Sequence, residues 1–261
     1  MGPLDVALIS FLETLPAAEW QRPTSARRWR VTDVAAHLLD TKLRRIAQVR
    51  DGHFGSAEFS GDLVAHLTAL NRTWVEAFDR MSPGLLVELH RAIHPAHVAT
   101  YTAAVLEDQA PFGVSWAGQD ASPNWFHLAR EYTEQWHHQQ QIRQAVGDAE
   151  LLRPTWYGPY LDTCLRALPH WLGQTPAPLG TAVQVEVPET GHSWAVVRGP
   201  EGWAWADPTG GAPNLLVLHA AYAWQLFSHG LADANVPESA YSWKGDPAYL
   251  VPLLGAIAVV K

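Results

Sequence analysis

Hydrophobic positions in about the first 150 residues recur three or four positions apart, which is the spacing of amphipathic helices. Thr32 is a plausible N-cap of the second such segment. Pro95 interrupts the fourth segment, which we therefore expect to be helical only in pieces. A last helix ends near Gly147, because glycine commonly follows a helix end. The pattern predicts an all-helical bundle, and its first four segments are residues 3–16, 32–52, 60–80 and 83–106.

The second half of the chain has a different pattern. Residues 181–187 alternate between apolar and polar side chains, which is typical of a strand. Short strands are also expected at 193–198 and 202–206, and helices at 155–172 and 215–229. Residues 247–260 are expected to form a helix and then a strand. The overall fold class is thus α+β, with a helical domain at 1–152 and a smaller α+β domain at 153–261.

Composition and charge narrow the range of partners. The chain has 261 residues and a formal charge of −8, without a sizeable basic face, so a nucleic-acid partner is not expected. It shows neither a signal-peptide pattern nor an apolar run of roughly 18 residues, so no membrane partner is expected. The single cysteine, Cys164, excludes an internal disulfide and fits a reducing cytoplasm. Monomer and homodimer both remain open.

The stretch EYTEQWHHQQQIRQAVG, residues 131–147, carries the strongest candidate chemistry. Glu134 and His138 are four residues apart, so on a helix they share one face and could share one metal ion. Two ligands are too few for a metal site. His37, which lies in an apolar helical segment and so faces or borders the bundle core, is the best candidate for a third.

Other interpretations of these residues stay open. A Glu-x-x-x-His pair is often a solvated helix face, and a histidine among apolar residues is often a core histidine. Glu131 could share the face as a supporting acid. His137 and the glutamines at 139–141 are expected to face water or to cap neighbouring groups. A rival cluster comprises His90, His94 and His97.

Several segments together resemble a known family. WRVTDVAAHLLD, with Trp29, Asp33 and His37, is similar to a motif of the DinB-like metalloprotein superfamily, and most of all to the mycothiol-dependent maleylpyruvate isomerase group. Glu134 and His138, followed by a polar segment and Gly147, resemble its second motif. GVSWAGQDASPNWFHLAREYTE resembles the lead-in to that motif, and YSWKGDPAYLVPLLGAIAVV resembles the end of the C-terminal domain, so the likeness spans nearly the whole chain.

The resemblance implies a DinB-like four-helix bundle, a sterol-carrier-like α+β domain and a divalent metal, usually zinc, held by His37, Glu134 and His138. It also implies a low-molecular-weight thiol, such as mycothiol, as cofactor or co-substrate, and an electrophilic small-molecule substrate. We therefore expect a metal-dependent thiol S-transferase or a maleylpyruvate isomerase-like enzyme. Residues that could line its pocket are Trp29, Trp125, Trp136 and His229.

The sequence departs from this group at one position. An arginine usual in its C-terminal domain is missing, since none follows Arg198, and His229 stands nearest to its place. A dicarboxylate substrate would favour an arginine fork. A non-catalytic metal-binding or small-molecule-binding module of the same fold, a hydrolase using the same ligands and a metal-free bundle therefore remain alternatives. The sequence specifies neither the thiol, the electrophile nor the metal.

Overall fold

A computed structural model describes residues 1–26, 29–55, 61, 63–110, 113–233, 237–256 and 258, with no description of the side chains at 63, 64 and 229–233. The chain divides into two compact units, 1–105 with 135–150 and 106–134 with 151–261. The boundary predicted after residue 152 stays a prediction. The helices up to residue 146 are Gly2–Thr14 (α1), Val31–Arg45 (α2), Leu63–Phe78 (α3), Pro83–Thr102 (α4) and Asn124–Val146 (α5).

The core of the first unit draws its buried residues mainly from four helices, α1, α2, α4 and α5. Each contributes residues at helical spacing, so one face of each helix meets the others and excludes water. This arrangement confirms the predicted helical bundle. The buried residues include Leu8 and Leu12 of α1, Val34 and Leu38 of α2, Leu86 of α4 and Ile142 of α5.

Two local predictions in this unit are wrong. Helix α4 runs through Pro95 without a break. A proline removes only one backbone donor, and His94 and His97 on either side of it bond Asp5 of α1. Helix α2 begins at Val31, so Thr32 lies inside the helix and does not cap it. The Asp33 side chain instead accepts a hydrogen bond from the Arg30 backbone N–H at 2.8 Å.

The second unit contains a five-stranded sheet with the order β3-β2-β1-β4-β5. Strands β1, β2 and β3 form an antiparallel meander, whereas β4 lies parallel to β1 and antiparallel to β5. The sheet and its helices confirm the predicted α+β class. The strands are Ala182–Val187 (β1), His192–Gly199 (β2), Gly202–Ala206 (β3), Asn214–Leu218 (β4) and Tyr241–Lys244 (β5); the helices are Pro154–Leu165 (α6), Leu168–Trp171 (α7), Ala220–Asp233 (α8) and Pro247–Leu254 (α9).

The helix expected at 215–229 is in fact a strand followed by a helix, because the apolar run of β4 is buried between β1 and β5 before α8 begins at Ala220. Asp246 caps α9 by accepting a hydrogen bond from the Ala248 N–H at 2.9 Å. The strand expected at the C-terminus falls largely on residues 257 and 259–261, which lie outside the described residues. Within the described parts of the chain, no helix combines the length and the apolar character that crossing a membrane requires.

A buried polar network links α1, α2 and α4. Asp5 accepts hydrogen bonds from the Nδ1 atoms of His94 and His97, each at 3.0 Å, and forms an ion pair with Lys42. The Lys42 side chain is completely buried, and its Nζ lies 3.2 Å from Nδ1 of His90. Because an unpaired buried charge is very costly, this pairing is what allows polar residues to occupy the centre of the bundle.

The network favours one protonation state of His90. Its Nδ1 accepts from Lys42 and its Nε2 donates to the Ala35 carbonyl at 3.0 Å, so the ring is neutral. Burial, assisted by the charge of Lys42, lowers the pKa of His90 to about 3. Burial alone would raise the pKa of Asp5, but the hydrogen bond from His97 and the charge of Lys42 outweigh it and hold that pKa well below its usual range.

Acidification should therefore destabilise the protein through His90. Below a pH of about 6.5 the unfolded chain takes up a proton at this residue, whereas the folded chain does not until about pH 3. We expect His90 to account for a loss of about 2 kcal/mol in unfolding free energy between pH 7.5 and pH 5. Asp5 adds nothing in this window, because the stability that it provides is lost only below its unfolded pKa of about 4.

Urea unfolding of the wild type and of His90→Gln at both pH values measures this contribution. Glutamine can replace both hydrogen bonds but does not titrate, so the variant should lose less stability on acidification. His219→Gln, which changes an exposed histidine, is the control and should behave as the wild type does. Equal losses in all three proteins would contradict the assignment.

Candidate metal centre

Helices α2 and α5 bring together the three residues that the sequence singles out. His37, Glu134 and His138 each offer a ligand atom, and these atoms lie within 4.8 Å of one another. The rings of His37 and His138 meet edge to face, with centroids 4.5 Å apart. His37 is buried, while Glu134 and His138 are half-buried. Among the described residues, no fourth His, Cys, Asp or Glu belongs to the group.

The start of α2 fixes the position of His37 one turn later. The Arg30 guanidinium donates to both oxygens of Asp33 at 2.9 Å, and one of its nitrogens also reaches Asp79 at 2.9 Å. The Asp33 carboxylate thereby accepts hydrogen bonds from both the backbone and the side chain of Arg30. Its negative charge in the first turn also interacts favourably with the helix dipole. The indole N–H of Trp74 donates to the Ala36 carbonyl at 3.0 Å, next to His37.

Hydrogen bonds from α5 hold His138 in register with its neighbours. The Gln135 amide donates to the Thr41 hydroxyl of α2 at 3.0 Å. Further along α5, Gln139 donates to the Leu4 carbonyl at 3.1 Å and Arg143 donates to the Ala7 carbonyl at 3.1 Å. Each contact satisfies a buried polar group, so a slip of α5 would leave several unpaired at once.

His137 and the three glutamines are expected from the sequence to face water or to cap neighbouring groups. None of them faces water, because all four side chains are buried, whereas Gln139 and Gln141 do bond neighbouring groups. Gln141 contacts two histidines at once. Its Oε1 lies 2.8 Å from Nδ1 of His138, and its Nε2 lies 3.0 Å from Nε2 of His137. Sequence reasoning missed Gln141, although its spacing of three from His138 and four from His137 puts it on their helix face.

The predicted pocket residues are in different surroundings. The Trp29 ring lies 5.0 Å from that of His37 and 6.5 Å from that of His138, so it flanks the histidine pair. Trp136 is completely buried. In the second unit, Trp125 stacks on Phe126 and packs with an apolar cluster. His229 lies in α8, and its side chain is outside the described part of the chain.

The rival cluster and the cysteine are engaged elsewhere. His90 contacts Lys42, and His94 and His97 share the Asp5 carboxylate, so Nδ1 of each ring takes part in the buried network. Cys164 is completely buried on α6. Its burial raises the pKa of the thiol well above the usual range, so a protein thiolate is strongly disfavoured.

The donor set fits a divalent transition metal. Two imidazole nitrogens and one carboxylate oxygen are ligands that zinc accepts, and a zinc site with three protein ligands keeps a position for a small molecule. Glu134 and His138 are half-buried, so part of each residue is accessible to solvent. Nickel, iron and manganese accept similar donors, so the residues alone do not select the metal.

The protein thus has an α+β fold in two compact units. Two histidines and one glutamate form a group whose donor atoms could bind a metal ion. A family model described as the mycothiol maleylpyruvate isomerase N-terminal domain matches residues 2–143. The chain therefore belongs to this family.

One solved structure shows the same fold at low sequence identity. A crystal structure of a histidine-to-alanine mutant of the mycothiol-dependent maleylpyruvate isomerase is 13% identical, with a TM-score of 0.52 over 91% of this chain and 92% of that one. A crystal structure of the mycothiol-dependent maleylpyruvate isomerase is 12% identical, with a TM-score of 0.49 over 92% of this chain and 90% of that one. No curated protein sequence matches this chain.

The contact between Arg30 and Asp33 should contribute measurably to the stability of α2. We expect Asp33→Ala to lower the unfolding free energy by about 1–2 kcal/mol, because it removes a helix-terminal acceptor and an ion pair. Asp79→Ala removes only the exposed end of the same arginine cluster and should cost less than about 0.5 kcal/mol. Urea unfolding compares the two, and equal costs would show that Asp33 has no special role.

Proposed function

We propose that this chain is a metal-dependent enzyme that uses a low-molecular-weight thiol in isomerisation or S-transfer, with the metal held by His37, Glu134 and His138. The observation that carries the proposal is the convergence of these three ligand atoms within 4.8 Å. Membership of a family described by mycothiol and maleylpyruvate isomerase supports the choice of thiol and reaction class. Zinc is the metal to test first, because the N₂O donor set suits it.

The residues of the chain have distinct tasks in this proposal. His37 and His138 would each bind as a neutral imidazole, while the Glu134 carboxylate would offset part of the charge of the cation. Trp29 covers one side of the histidine pair and limits the access of water. When bound, the metal supplies Lewis-acid chemistry that favours the thiolate form of a thiol.

The sulfur must come from outside the chain. Cys164 is the only cysteine, and it is completely buried with a raised thiol pKa. A small thiol such as mycothiol would supply the nucleophile that attacks an electrophilic carbon of the substrate. Because such a thiol has to stay reduced, we expect the protein to work in the cytoplasm.

A second candidate function is a non-catalytic metal-binding or small-molecule-binding module of the same fold. The observation in its favour is that no arginine follows Arg198, so the C-terminal stretch in which this group usually has one lacks the fork that a dicarboxylate would favour. Metal binding without turnover by any thiol in a panel that includes mycothiol would select this alternative.

The proposed metal site predicts about one equivalent of zinc per chain after reconstitution, measured by inductively coupled plasma mass spectrometry. His138→Ala and Glu134→Gln should each lose most of the metal, because two protein ligands hold zinc poorly. His219→Ala and Glu76→Gln change exposed residues of the same types and should keep the wild-type content. Metal content unaffected by the ligand substitutions, or none in the wild type, would refute the site.

The proposed source of the sulfur predicts that Cys164→Ala retains thiol-dependent turnover, within about twofold of the wild type. The native wild-type protein should also resist alkylation by iodoacetamide until it unfolds, since the thiol is buried and protonated. Loss of turnover in this variant, with the fold intact by circular dichroism, would instead make Cys164 the nucleophile.

A further inference from the structure

Gln141 is the buried residue of α5 that joins both adjacent histidines. Its side chain is 2% exposed, and its two polar atoms point to different rings. The carbonyl oxygen can only accept a hydrogen bond, so Nδ1 of His138 must carry the proton in that contact. The amide nitrogen can only donate, so Nε2 of His137 is the acceptor in the other contact.

This pattern has a consequence for His138. In a neutral imidazole only one nitrogen is protonated, so a proton on Nδ1 leaves the lone pair on Nε2. A histidine that binds metal usually donates its other N–H to a fixed acceptor, which selects the tautomer and orients the ring. Gln141 has the position and the atom required of such an acceptor.

We propose that Gln141 is a positioning residue that holds His138 as the Nδ1–H tautomer and thereby presents its Nε2 to the metal. This inference rests on the proposed function, because it takes His138 to be a metal ligand. Gln141 acts through His138, and it is not a member of the ligand group itself.

The contact of Gln141 with His137 is the reason why a glutamine suits this position. An amide offers an acceptor to one histidine and a donor to the other, so both of its polar groups are used. If the amide were reversed, its N–H would face Nδ1 of His138, and the proton of that ring would move to Nε2, where it would block metal binding.

Nuclear magnetic resonance of the metal-free protein tests the tautomer directly. Long-range ¹H–¹⁵N spectra at about pH 8, where an ordinary imidazole is neutral, should show a protonated Nδ1 and an unprotonated Nε2 for His138. Comparison with His138→Gln assigns the signals. A proton on Nε2 of His138 in the wild type would overturn the proposal, whatever the protein's affinity for zinc.

Zinc affinity of matched variants tests the consequence. Gln141→Leu should weaken zinc binding about 10–100-fold and populate the other tautomer of His138, because the acceptor is lost. Gln141→Glu retains an acceptor for Nδ1–H and should bind zinc within about threefold of the wild type, or more tightly. This rescue would not be expected if Gln141 only filled space.

Gln140→Leu is the control. Gln140 is as deeply buried on α5 as Gln141, but its Oε1 has no hydrogen-bond partner among the described residues. Its replacement should leave the His138 tautomer and the zinc affinity as they are in the wild type. Zinc affinity and tautomer both unchanged in Gln141→Leu would refute the proposal. If that variant does not fold, the wild-type tautomer and Gln141→Glu still decide it.

The two hypotheses can fail separately. A wild-type protein that binds no zinc would reject the proposed function, and the tautomer of the metal-free protein would still show whether Gln141 positions His138. A wild-type protein that binds zinc, but whose His138 carries its proton on Nε2, would reject the role of Gln141 alone.

Discussion

The register of helix α5 within the bundle is set by hydrogen bonds between buried polar groups. Gln135 reaches the Thr41 hydroxyl on α2, and Gln139 and Arg143 reach backbone carbonyls of α1. A shift of α5 by one residue would break these contacts together and would turn His138 away from His37. The candidate metal centre therefore depends on a polar interior whose partners are matched one by one.

Buried polar side chains of the helices form two separate groups. The network of Asp5, Lys42 and the α4 histidines is closed, since its charges face one another and His90 is held neutral. In the group of His37, Glu134 and His138, His37 is buried and the other two are half-buried, and their ligand atoms lie within 4.8 Å of one another. Pairing in the first network leaves no charge buried without a partner, whereas the second group has donor atoms of the kind that a metal accepts.

Periodicity in the sequence was sufficient to predict the class of the fold and the helices of the bundle. It was also sufficient to put Glu134 and His138 on one face of a helix, because residues four apart share a helix face. It failed for Pro95 and for the strand Asn214–Leu218, where tertiary packing overrides the local signal. Gln141 was missed because its role depends on its atoms lying within hydrogen-bond reach of two histidines, which composition and spacing alone do not reveal.

X-ray absorption at the zinc edge of the reconstituted wild-type protein tests the central claim most directly, because it reports the atoms that surround the metal. We expect nitrogen and oxygen neighbours of the metal at about 2.0–2.2 Å, with the outer scattering of two imidazoles. His138→Ala should reduce that scattering to one imidazole. A spectrum without imidazole scattering, or one unchanged by the substitution, would show that His37, Glu134 and His138 do not hold the metal.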